Sequence, residues 1–234
     1  MTGGYAEEMR RLEESLRRRF RVVETPIEVG GRTIALLHPA SAEELISEAD
    51  FDRDERLPYW AEPWPSSFVL AREMVAERWG AGRGRSLLEL GCGAGLVTTA
   101  AAMAGFDVTA SDYYEDALRF ARLNAWRAAG REVRPLLLDW RALPQLLPRY
   151  DFVVAADVLY ERPYAELVAR AVARTLAPRG LAIVADPGRV AASAFVVACP
   201  AAGLNVAPTA RLPYQEGAVR QTIDVYELRP AVAG

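Results

Sequence analysis

The sequence predicts a doubly wound α/β protein: a mostly parallel sheet with helices on both faces, an N-terminal helix and β-hairpin extension, and an antiparallel C-terminal hairpin. Three observations carry this. From residue 66 onward, short apolar runs alternate with amphipathic stretches of helical length. The strand-like runs are apolar almost throughout, as strands covered on both faces are. The last two β-rich runs, "LNVAPTARL" and "VRQTIDVYEL", have no helix between them, which predicts a hairpin on the sheet edge.

The extension, residues 1–60, comes first. "EEMRRLEESLRRRF" places Met9, Leu12, Leu16 and Phe20 at helical spacing, and its Arg17–Arg19 cluster reads as a solvated face. "FRVVETPIEVGGRTIALLHP" holds two β-rich runs joined through Gly30-Gly31, a hairpin. "SAEELISEA" opens with a serine and carries Glu three residues on, predicting a short capped helix. The main domain, residues 61–230, begins with the helix "SSFVLAREMVAERWG". The strands "SLLEL", "DVTAS", "VRPLLLD", "DFVVAAD" and "LAIVAD" follow, separated by helices including "YYEDALRFARLNAWRAA" and "YAELVARAVARTL".

At 234 residues, half apolar and a quarter charged, the chain has an ordinary soluble composition and ample core. A net charge of −3 gives no overall attraction for nucleic acid. No apolar stretch is long enough to span a bilayer, and the N-terminus lacks the apolar run of a secretory signal. Cys92 and Cys199 supply neither a disulfide framework nor a zinc site. The expectations are a cytoplasmic, metal-free protein, monomeric, with no membrane or nucleic-acid partner.

The chemistry centres on "LELGCGAGLV". Gly91, Cys92, Gly93 and Gly95 follow a strand and open a helix, where bare backbone lets a ligand approach outward-pointing N–H groups. A dinucleotide fingerprint would put its third glycine at 96, but Leu96 stands there. Glu89, inside the strand end, repels a pyrophosphate and suits a ligand carrying positive charge. Asp112, about twenty residues on at the next strand end, is placed to accept two ribose hydroxyls. Tyr113 is placed to pack on an adenine face, and Asp139 to accept its exocyclic amine with Trp140 alongside. An adenosine ligand without phosphate and with an amino-acid tail follows, and S-adenosylmethionine fits.

"LELGCGAGL", Asp112 and "LDW" resemble the motifs of class I S-adenosylmethionine-dependent methyltransferases, over roughly residues 56–228. That resemblance implies a Rossmann-like, seven-stranded sheet. "PYWAEPWPSSFVLA", "ADVLY" and "ADPGR" are similar to elements of the methyltransferase family 16 protein-lysine methyltransferases, in particular those acting on the electron-transfer-flavoprotein β-subunit. It implies a methyl acceptor at Asp157 and Tyr160, the Asp-x-x-Tyr element, with Ala156 beside the cofactor and Trp64 as a pocket wall. Asp157 would orient an amine, and the aromatic rings would hold its cationic form.

The expected partner is therefore a protein substrate presenting lysine, or else a small-molecule amine or nicotinamide-like ring. A cofactor-binding module without catalysis is the second alternative. Trp60 is read as core with a possible substrate role, and His38, the single histidine, as structural. No Ser-His-Asp, metal or P-loop constellation competes.

Overall fold

The computed structural model describes residues 2–45, 58–207 and 210–231. Helix α1 (Thr2–Arg19) precedes the antiparallel pair β1 (Val22–Val29) and β2 (Arg32–Pro39). Gly30 and Gly31 both sit at positive φ between them, the turn their pairing predicts. Helix α2 (Pro65–Val75) then leads into the alternating part of the chain. In order come β3 (Ser86–Leu90), α3 (Leu96–Met103), β4 (Asp107–Asp112), α4 (Glu115–Ala129), β5 (Arg134–Leu137) and β6 (Tyr150–Ala156). After them come α5 (Tyr164–Thr175), β7 (Leu176–Asp186), α6 (Ala192–Ala201), β8 (Leu204–Val206), β9 (Ala210–Glu216) and β10 (Val219–Pro230).

The large sheet runs β5-β4-β3-β6-β7-β10, parallel from β5 to β7, with β10 antiparallel to β7. Val225 of β10 pairs with Ala185 of β7 on one edge and with Ala210 of β9 on the other. Leu228 likewise lies between Ala182 of β7 and Val206 of β8. Strands β8 and β9 therefore share the far edge of β10, and among the described residues eight segments fill seven positions. The chain moves outward from β3 through β4 to β5, then returns to place β6 on the other side of β3. The end of β3 is thus the switch point of the sheet, where ligands bind in such folds.

Period-two alternation sorts the strands between two cores. On one face Leu87, Phe152 and Val154 pack with α3 and α4; on the other Leu88, Leu90, Val153 and Ala155 pack with α5 and α6. Helix α3 is buried on every side between α2 and α4, which explains its run of alanines. Helix α4 carries Glu115 and Asp116 in its first turn and ends on Gly130 at φ 62, as the helix dipole and a left-handed cap favour. Met9, Leu16, Ile27, Ile34 and Leu36 of the N-terminal elements belong to the same core as α3 and α4.

The C-terminal pair is the expected hairpin at the end of the sheet: β10 joins β7, and β8 and β9 both pair along its outer side. Within the predicted "SAEELISEA" helix, Glu43–Leu45 form a 3-10 turn, and residues 46–49 lie outside the described residues. The strand expected from Leu181 starts at Leu176. Helix α6 is a further element, uniformly apolar and with Pro200 inside it, so no amphipathic period announces it.

Candidate active site

Strand β3 ends at Leu90, and the chain turns through Gly91, Gly93 and Gly95 at φ 69, 50 and 86. Only glycine holds these conformations without strain. A side chain at Gly91 would meet Val158 at 3.1 Å and the Trp140 ring at 3.3 Å, so the bare backbone lets these two side chains pack against the turn. At Gly93 it would press on the Trp60 carbonyl at 3.0 Å. Gly95 differs from the expected ligand role. Its missing Cβ makes room for Ala121 of α4, which would lie at 2.4 Å, and Gly95 is absent from the lining of the hollow.

Asp112 ties the strand ends together. Its Oδ2 accepts the Gly93 N–H at 3.0 Å and its Oδ1 the Tyr114 N–H at 3.0 Å, while its own carbonyl accepts from Leu138 N at 2.9 Å. Burial pushes its pKa from 3.8 up to about 6, against the opposing pull of those N–H groups. Glu89 lies on the α3 face of β3, where an apolar residue would be expected, and accepts the Thr98 hydroxyl. Burial raises it further, from 4.5 to about 8, with Asp112 adding repulsion. The two buried carboxyl groups thus line a floor on which a positively charged group would favour their ionised forms.

A single hollow opens over this floor. Glu89, Gly91, Cys92, Gly93, Asp112 and Tyr113 line it from the β3 and β4 ends. Asp139, Trp140, Ala156, Asp157, Tyr160 and Trp64 complete the predicted set around it. Cys92 is buried, its thiol pushed well up by that burial, and its N–H bonds to the Ser111 carbonyl at 2.9 Å, a structural role. Asp139 caps the turn Trp140–Ala142, and its carboxylate is held by Arg141, whose guanidinium also covers the Tyr113 ring at 5.4 Å. Trp140 Nε1 is buried and has no hydrogen-bond partner among the described residues.

Towards the mouth, a second hollow is lined by Tyr59, Trp64, Asp157, Tyr160, Glu161 and Arg189. Trp64 Nε1 donates to the Tyr59 carbonyl at 2.9 Å, and the Tyr59 ring stands edge-on to Trp64 and Tyr160. Burial and the neighbouring Tyr164 keep the Tyr160 phenol protonated far above its ordinary range. Asp157, at φ 60, holds a left-handed conformation that is uncommon outside glycine. Its Oδ2 accepts Ser66 N–H at the start of α2, 3.2 Å away, and its Oδ1 receives Arg189 Nε at 2.7 Å. Sequence reasoning missed Arg189, although it stands inside the quoted "ADPGR"; nothing local announces that the β7 loop folds back onto β6. Tyr59 was equally close, one residue before Trp60. Trp60 itself packs among Phe20, Tyr114 and Phe120 at the edge of the core and also lines the hollow.

A doubly wound sheet with β10 inserted antiparallel at its sixth position, opening a glycine turn onto this hollow, defines the class I methyltransferase architecture. Residues 87–180 match the protein-family model described as "Methyltransferase domain", and the chain resembles the class I S-adenosylmethionine-dependent methyltransferases. Among curated relatives it is 32% identical over 117 residues to the ubiquinone biosynthesis O-methyltransferase of Bordetella avium, covering 47% of this chain and 46% of that one. It is also 32% identical over 146 residues to the electron transfer flavoprotein beta subunit lysine methyltransferase of Xenopus laevis, covering 60% and 56%. The chain thus spans about half the length of the curated relatives it matches. The solved magnesium protoporphyrin IX methyltransferase of Synechocystis, with S-adenosylmethionine bound, shares the fold at TM-score 0.55 and 21% identity over 80% of this chain and 94% of that one. A putative methyltransferase from Thermoplasma acidophilum does so at TM-score 0.55 and 18% identity, over 91% and 85%.

Proposed function

We propose that the protein is an S-adenosylmethionine-dependent N-methyltransferase acting on a lysine side chain of a protein. Support for the cofactor comes from the glycine turn, which lines the hollow at Gly91 and Gly93, and from the buried Trp140 Nε1, a donor without a partner among the described residues. Asp112 retains lone pairs for ribose hydroxyls beyond its two backbone bonds. Glu89 would sit near the cationic tail. When bound, the cofactor supplies an electrophilic methyl group on a sulfonium, so the protein has little acid–base work to do.

One observation carries the acceptor assignment: the mouth already holds a cation. The Arg189 guanidinium lies over the Trp64 ring at 5.1 Å and bonds the buried Asp157 carboxylate. A carboxylate set beside an aromatic face is a receptor for a primary ammonium. In this reading Asp157 orients the amine, while Tyr59, Tyr160 and Trp64 exclude water around it. The seated ammonium must lose a proton to solvent before attack, its reference pKa being about 10.4.

The names of the ubiquinone biosynthesis relatives favour a second reading, a small-molecule oxygen acceptor. A hydroxyl acceptor is best served by a general base, and His38 is engaged elsewhere, with the Thr25 hydroxyl and the Pro39 carbonyl at 2.8 Å each. It does not line the hollow. The amine reading is therefore preferred.

The test combines purified protein, methyl-labelled S-adenosylmethionine and a lysate split into protein and small-molecule fractions. Methyl-lysine recovered from one protein band is the expected result. Label confined to small molecules transfers the assignment to the second reading, and label nowhere removes the catalytic reading altogether.

A further inference from the structure

The loop after β7 is built to deliver one side chain. Asp186 Oδ1 accepts the N–H groups of Gly188 at 2.8 Å and Arg189 at 2.6 Å, and Gly188 turns the chain at φ 90. Asp186 itself is fully buried at the end of β7. This turn sends Arg189 back across the sheet to Asp157, where both Nε and Nη2 approach Oδ1 at 2.7 Å.

The two sides of the contact are not equally fixed. Asp157 donates its N–H to the Ala185 carbonyl at 2.9 Å, accepts Ser66 N–H, and has a side chain only 2% exposed. Trp64 is pinned through its indole N–H to the Tyr59 carbonyl. The Arg189 side chain is 34% exposed and ends a flexible stem. Moving the guanidinium into water costs less than moving either of its partners, because an exposed cation is already partly hydrated. Removing it with nothing in its place would strand a buried carboxylate, which is costly. The seat therefore demands a cation, and Arg189 is the exchangeable one.

We propose that the acceptor's ammonium binds in the seat Arg189 fills, so that Arg189 is a built-in competitor setting the threshold for acceptor entry and rejecting uncharged acceptors. The proposal rests on the amine reading above. An uncharged molecule cannot replace the guanidinium on Asp157, whereas a primary ammonium offers an N–H donor to the same oxygen and a charge to the same ring. The energetic consequence is a penalty on every acceptor: where the seat is free only about a tenth of the time, the apparent dissociation constant rises about tenfold.

The probe is n-butylammonium, titrated by calorimetry into protein saturated with S-adenosylhomocysteine. Arg189→Gln should bind it about tenfold more tightly than the wild type, n-butanol should bind to neither, and Asp157→Asn in the Arg189→Gln background should erase the gain. In the wild type, the Arg189 Nε–H resonance should move towards its solvent-exposed position as the probe is added; this readout needs no substitution. Equal or weaker binding by Arg189→Gln, or an Arg189 resonance unmoved while the probe binds, overturns the shared seat and leaves the cofactor reading standing. Failure of S-adenosylhomocysteine to bind the wild type would instead remove the cofactor reading, and the shared seat with it.

Discussion

At the scale of single residues, Glu89 makes the sharpest statement. Its pKa is raised from 4.5 to about 8 by burial, so the folded chain holds a proton that the unfolded chain releases. A raised folded pKa contributes stability that is complete below about 4.5 and is lost as pH rises through about 8. Asp112, raised from 3.8 to about 6, acts with the same sign over a lower window. The unliganded protein should therefore lose stability between pH 5 and pH 8, and Glu89→Gln should flatten that slope in urea titrations run across the range; an unchanged slope would move the proton to another group. A cationic ligand reverses the preference by favouring the carboxylate. Binding of S-adenosylmethionine at pH 7 should then release protons, seen as a dependence of the calorimetric enthalpy on buffer ionisation. The two outer glycines of the turn separate by the same close reading. Gly91→Ala, facing Val158 and Trp140, should weaken cofactor binding with a loss of about 1–2 kcal/mol in stability from its positive φ. Gly95→Ala, driven into Ala121, should lower the melting temperature far more, since backbone must move to admit it. The reverse order in melting temperatures would mean that α3 and α4 separate easily.

Between elements, Asn124 is the joint that no motif announces. From α4 it donates to the carbonyls of Leu37 in β2 and Ala94 in the glycine turn, both at 2.8 Å, and accepts the Leu37 N–H at 2.9 Å. It is 1% exposed, so all three contacts are made away from water. A polar residue in the middle of "ARLNAWRAA" reads as part of a solvated helix face until the hairpin is seen to pack there. Asn124→Ala should cost about 2–4 kcal/mol, because buried backbone groups lose their partners without replacement. It should also speed hydrogen exchange at Leu37 more than elsewhere in β2, which would separate a local staple from a general loss of packing; uniform acceleration would sink the staple. The joint matters for function because it fixes the turn that opens the hollow to an N-terminal element. The same limit on local reading explains the Arg189 contact: the glycine turn, Asp112, Asp139 and Asp157 sit at strand ends and could be placed by counting along β–α units. What folds back onto them, from α2 or the β7 loop, depends on tertiary packing that spacing does not encode. Helix α6 escaped for a related reason, since its nearly uniform apolarity carries no amphipathic period.

Across the whole molecule, the hollow is assembled from pieces distant in sequence: the Tyr59–Trp64 lead-in, the β3 and β4 ends, the turn after β5, and the β6 end with its following loop. Each piece rests on one of two separate cores, one beneath α3 and α4 and the other beneath α5 and α6. A ligand in the hollow therefore contacts segments anchored on both faces of the sheet, and it is lost when either face opens. Binding to the folded state alone stabilises by mass action, about 2.7 kcal/mol at a hundredfold excess over the dissociation constant. S-adenosylhomocysteine at that excess should raise the melting temperature by several degrees and slow hydrogen exchange in the Gly93–Ala94 turn, at Tyr114 and at Trp140 together. Protection confined to the β3 and β4 ends would show that the ligand stays on one face and that Trp140 is packing alone. Protection reaching Asp157 and Arg189 as well would extend the coupling to the mouth, where the Asp157 N–H, bonded to β7, offers the amide to watch.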